Sequence, residues 1–143
     1  MQNFVTESPA ETEALGEKLA QKLKPGTVLA LYGEMGAGKT ALTRGIARGL
    51  GIEGGVCSPT FALIHEYAGR LPIYHFDMYR VESWNDLYST GFFDYLDASD
   101  GVLVVEWSEN IENALPEDTI HIHLQQGSTE NERMISMDGV TLC

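Results

Sequence analysis

The chain has 143 residues, 43% of them apolar, which suits one domain with a real core. No apolar run is long enough to span a bilayer and no basic-then-apolar leader opens the chain, so a soluble, cytoplasmic protein without a membrane partner is expected. A net charge of −12 disfavours direct, unaided binding to DNA or RNA. The charge is unevenly spread. Six of the nine Lys and Arg residues lie between Lys18 and Arg48, whereas residues 81–132 hold twelve carboxylates and no Lys or Arg. That acidic stretch reads as a solubilising surface or as a dock for a basic partner. The two cysteines, Cys57 and Cys143, form no C-x-x-C pair and read as a buried thiol and a chain-end thiol.

In chain order, residues 1–5 predict a first strand. Ser8-Pro9-Ala10-Glu11 is a capping box with proline at the first helical position, and Leu15, Leu19 and Leu23 mark the buried side of a helix ending at Lys24-Pro25-Gly26. Residues 27–32 read as a short buried strand. It runs directly into Gly33-Glu34-Met35-Gly36-Ala37-Gly38-Lys39-Thr40, the pattern G-x-x-x-x-G-K-T. Glycines there let main-chain N–H groups curl around phosphate oxygens. Lys39 can reach the β- and γ-phosphates, and Thr40 offers a hydroxyl to Mg²⁺. Leu42, Ile46 and Leu50 then fall four apart on one helical face, with Gly49 and Gly51 bracketing a helix end. The positive end of that helix would face the anion. A glycine-rich surface turn is the alternative, and the flanking strand and helix favour nucleoside triphosphate binding.

Ser58-Pro59-Thr60 follows about one loop-helix unit later. Thr60 is placed either to close over a γ-phosphate and its metal, as a switch threonine does, or simply to start a strand. Residues 61–67 and 71–79 read as strands joined by a turn at Ala68-Gly69-Arg70, an antiparallel hairpin on the core. Polar and apolar residues alternate along the second strand, so His75, Asp77 and Tyr79 would share a face. Asp77 is a candidate to hold the metal's water shell or orient an attacking water, the alternative being a surface strand with an Asp–Arg pair. Arg80 would engage a phosphate or an acidic neighbour, and His75 alone reads as structural.

Ser83 caps a short predicted helix over 84–88. Residues 101–106 form the second strongly apolar run, a buried parallel strand ending in Glu106. A carboxylate ending such a strand is expensive unless it meets a cation or water, so Glu106 reads as a metal ligand, directly or through water, or as a solvated strand-end carboxylate. A helix over 109–115 should stop at Pro116, and three short strands are expected near 119–125, 133–137 and 140–142. His121 and His123 lack a third ligand and read as exposed strand residues. Together these elements predict an α/β domain spanning 1–143 with the P-loop NTPase fold, a mixed sheet with a parallel centre and antiparallel additions.

Absences narrow the chemistry. No N-K-x-D motif for guanine is present, and the arginine-rich lid of small-molecule kinases is missing. The residues point to a Mg²⁺-dependent ATPase in which water attacks the γ-phosphate, oriented by Asp77, Thr60 or a partner's residue. No arginine is an evident finger, so slow turnover alone and faster turnover in complex are expected. A small-molecule kinase and a nucleotide-dependent binding module signalling through Thr60 are the alternatives.

The set G-E-M-G-A-G-K-T, S-P-T-F, Y-H-F-D-M-Y-R and V-E-W, in this order and over nearly the whole chain, closely resembles the bacterial TsaE (YjeE) family. Members most often carry Asp-Leu where Glu34-Met35 stands here, a change that leaves the loop's phosphate chemistry intact. The resemblance implies an ATPase needed for threonylcarbamoyladenosine at position 37 of tRNAs that read codons beginning with A. It would act with TsaD and TsaB and meet tRNA only through that complex. By position it implies Lys39 as the phosphate-binding lysine, Thr40 and Glu106 as magnesium ligands, Asp77 as the essential strand carboxylate and Thr60 as the switch-like threonine. Thr6 and Arg133 would border the nucleotide.

Overall fold

A computed structural model describes residues 2–34, 36–52, 64–78 and 81–142. The predicted roles of Met35, Thr60 and Arg80, and both cysteines, lie outside the described residues. Seven strands form one sheet: β1 (Gln2–Thr6), β2 (Val28–Tyr32), β3 (Ile64–Tyr67), β4 (Ile73–Asp77), β5 (Val102–Glu106), β6 (Ile120–Gln126) and β7 (Arg133–Asp138). Their order across the sheet is β1-β7-β6-β2-β5-β4-β3. The four central strands, β6, β2, β5 and β4, run parallel, and β3, β7 and β1 add antiparallel edges. This is the mixed sheet with a parallel centre that the apolar runs predicted. Every residue of β5 is buried, as a central strand covered on both faces requires.

Alternate side chains of the central strands feed two cores. Leu29 and Leu31 of β2 and Val102 and Val104 of β5 pack with helices α1 (Pro9–Ala20) and α2 (Lys39–Gly49) on one face. Val28, Leu103 and Val105 pack on the other face with α3 (Trp84–Ser89), α4 (Phe92–Ala98) and a 3-10 helix over Ser108–Ala114. Ser8 caps α1 by accepting the Glu11 N–H at 3.1 Å. The Glu11 carboxylate reaches back to the N–H of Glu7, one residue beyond the cap. Leu42, Ile46 and Leu50 are fully buried along α2. Among the described residues no helix is long and apolar enough to cross a membrane.

Three expectations fail. The helix over 109–115 is a 3-10 helix broken at Ile111, where φ is −132°. Side chains there bond to backbone outside the helix: Ser108 Oγ donates to the Val105 carbonyl, and Asn110 Nδ2 to that of Met78. Those competing bonds displace regular helical pairing. Residues 140–142 form no strand. Gly139, at φ +101°, turns the chain, and the Gln2 side-chain amide bonds both the carbonyl and the N–H of Leu142 where a neighbouring strand would pair. Lastly, α4 is a helix that the pattern did not reveal. Its start depends on Gly91 at φ +81°, and only Phe92 among its residues is buried.

Candidate functional site

The carboxyl ends of β2, β5 and β4 lie side by side in the sheet. After Tyr32, the last residue of β2, the chain enters the glycine-rich loop. Gly36 and Gly38 hold φ values of +84° and +104°, which side chains with a Cβ rarely adopt. Gly38 is the N-cap of α2 and has no side-chain cap, so the first turn of that helix begins on backbone N–H groups. Lys39 and Thr40 form this first turn.

Register places the two candidate carboxylates together. Asp77 of β4 is paired with Glu106 of β5, and paired residues on adjacent strands share a sheet face. Both border a cavity of about 510 Å³, together with Gly36, Gly38, Lys39 and Thr40. Gly33, Glu34 and Ala37 border an adjoining recess of about 430 Å³ that also touches Gly36. Arg133 reaches the main cavity with its aliphatic part against Gly38, and its guanidinium donates to the Glu130 and Glu132 carbonyls. Thr6 is buried behind the wall. Its hydroxyl lies 2.7 Å from that of Thr12, and Thr12 lines the cavity.

Glu106 is only 6% exposed. Its Oε1 lies 3.7 Å from Lys39 Nζ and its Oε2 2.6 Å from His75 Nε2. Burial pushes this carboxyl up, but the hydrogen bond from His75 and the Lys39 ammonium outweigh burial and hold it below the ordinary carboxylate value. The Lys39 ammonium also sits 5.6 Å from the centre of the Trp107 ring, a cation–π distance. Trp107 itself has φ +58°, a strained backbone for a bulky residue, immediately after Glu106.

Sequence reasoning missed three features of this wall. Arg44 lines the cavity and lies 3.6 Å from Glu13. The signal was present, because Arg44 stands one helical turn after Thr40. Thr12 and Trp107 carried weaker signals. Away from the cavity, His123 is exposed as expected and His121 is half-buried. Both rings stack on Tyr32, with centroids 5.8 and 4.4 Å away. Burial, with Glu112 and Glu109 nearby, pushes the Tyr32 phenol up to about 12, and its hydroxyl shares a 2.9 Å hydrogen bond with His121 Nδ1. Among the described residues no group of three or more His, Cys, Asp or Glu could hold a metal ion.

The family profile described as "Threonylcarbamoyl adenosine biosynthesis protein TsaE" matches residues 6–135. A tRNA threonylcarbamoyladenosine biosynthesis protein TsaE from Bacillus subtilis (strain 168) is 43% identical over 136 residues, covering 94% of this chain and 84% of the relative. The protein of the same description from Treponema pallidum (strain Nichols) is 40% identical over 121 residues, covering 85% of this chain and 89% of the relative. Among solved structures, the crystal structure of Bacillus subtilis YdiB superposes with a TM-score of 0.76 at 39% identity, covering 95% of this chain and 83% of that one.

Proposed function

This chain belongs to the TsaE family, and from that membership we propose that it serves tRNA threonylcarbamoyladenosine biosynthesis as a Mg²⁺-dependent ATPase acting through TsaD and TsaB. In this reading residues 1–143 are one P-loop nucleotide-binding domain of the cytoplasm, and tRNA is met only through the complex. One observation carries the proposal. The N-terminal turn of α2, with Lys39 and Thr40, opens into the same cavity as the paired carboxylates Asp77 and Glu106.

The donors fit the metal. The Thr40 hydroxyl and the Glu106 and Asp77 carboxylates are hard oxygen ligands, and Mg²⁺ takes one or two carboxylates with substrate phosphates and water. Thr40 and Glu106 would hold it, and when bound it would neutralise charge on the β- and γ-phosphate oxygens. The chain's own residues do the rest. Lys39, 3.7 Å from Glu106, turns to the terminal phosphates. Loop N–H groups from 33–40 and the positive end of α2 take the remaining phosphate charge. Asp77 orients the attacking water, and Thr60 is assigned the switch role. Arg133 and Arg44 line the cavity wall and would meet phosphate or partner.

Phosphate release from ATP tests this reading. The purified chain should hydrolyse ATP slowly, and adding TsaD and TsaB should accelerate it. Lys39→Ala should lower the rate about 100-fold or more, the scale of removing one transition-state charge donor. Unchanged hydrolysis in Lys39→Ala, or a rate indifferent to the partners, would contradict the proposal.

A further inference from the structure

We infer that His75 is a positioning residue for Glu106: it fixes Oε2, so that Oε1 alone passes from Lys39 to the cation when nucleotide binds. The inference rests on the reading that Glu106 serves the metal. It starts from the asymmetry of the two carboxylate oxygens. Oε2 meets His75 Nε2 at 2.6 Å, a short charge-assisted hydrogen bond. Oε1 meets Lys39 at 3.7 Å, beyond hydrogen-bond length and therefore easily exchanged. One oxygen is clamped and the other is loosely engaged.

Register explains how the clamp is built. His75 pairs with Val104, and Asp77 with Glu106, so His75 and Glu106 are diagonal neighbours on the same face. Diagonal neighbours come within reach when a side chain is long, and the imidazole spans the gap. A carboxylate only accepts, so Nε2 carries the hydrogen. Nδ1 is then left as the other ring atom, buried and without a hydrogen-bond partner. His75 is fully buried on β4, with the apolar Ile73 two residues before it on the same face. At a purely structural position an aliphatic side chain would fill this space without an unmet polar atom. The bond to Glu106 is what the imidazole provides there, and a hydrogen-bonded carboxylate is the usual second layer of a metal site.

The test separates positioning from packing. Binding of adenylyl imidodiphosphate is measured by calorimetry in MgCl₂ and in EDTA for the parent chain, His75→Leu and His75→Gln. The ratio of the two affinities reports what the cation adds. His75→Leu should keep the affinity measured in EDTA and lose about 10- to 100-fold of the MgCl₂ gain, the scale of losing such an outer partner. His75→Gln, whose amide nitrogen falls where Nε2 was, should recover most of that gain. If His75→Leu does not fold, His75→Asn replaces it, because its amide is one methylene short of Oε2. An MgCl₂ gain equal to the parent's, or an equal loss in both buffers, overturns the inference and leaves the ATPase reading standing. A parent chain that binds no nucleotide in either buffer overturns both.

Discussion

Glu106 shows how a single residue ties stability to the site. Its carboxyl is held below the ordinary value of 4.5, with burial opposed by His75 and Lys39. A folded-state value lower than the unfolded one means that the unfolded chain binds more protons in the range between them. The stabilisation is therefore complete above 4.5 and is lost as pH falls through the lower, folded-state value. Urea unfolding of the parent and of Glu106→Gln tests this. Between neutral pH and the range below 4.5 the parent should lose more stability than the variant, and equal losses would contradict the assignment. Glu106 was legible in the sequence because a charge closing an apolar strand stands out. The partnership with His75 was not, since nothing in an imidazole within a strand names a partner 31 residues away.

Among the elements, α1 and α2 fix where Lys39 and Thr40 stand, and two glycines let these helices approach. A Cβ built on Gly45 would lie 2.0 Å from the Glu13 carbonyl oxygen, and one on Gly16 would lie 2.4 Å from that of Leu42. Neither obstacle is a side chain that could swing aside. Gly45→Ala should therefore destabilise the fold by about 1–3 kcal/mol or more through overpacking. A urea midpoint equal to that of the parent would mean that the helices separate without penalty. The leucine spacing of both helices was legible, but the glycine contact depends on how the two helices cross and has no local signature. The same limit explains the other misses. Residues 108–114 became a 3-10 helix because Ser108 and Asn110 bond to residues outside it. Residues 140–142 gave up strand pairing to the side chain of Gln2.

Across the whole molecule, charge divides with the sheet faces. Residues 9–50, containing α1 and α2, hold six Lys and Arg against four carboxylates, whereas residues 81–115 hold eight carboxylates and no Lys or Arg. The α3, α4 and 3-10 side thus presents an acidic covering that repels a polyanion, while Lys39 and Arg44 line the cavity. The alternation of apolar runs and turn residues made the central sheet readable, and the register that joins Asp77 to Glu106 followed from its parallel pairing. The central claim is that one cavity at the carboxyl edge of this sheet receives the terminal phosphates. A crystal structure of the chain with Mg²⁺ and adenylyl imidodiphosphate tests it most directly. The γ-phosphate should lie against Lys39, with the cation between Thr40 and Glu106 and Asp77 facing the phosphorus. A nucleotide bound elsewhere, with Lys39 still paired to Glu106, would contradict it.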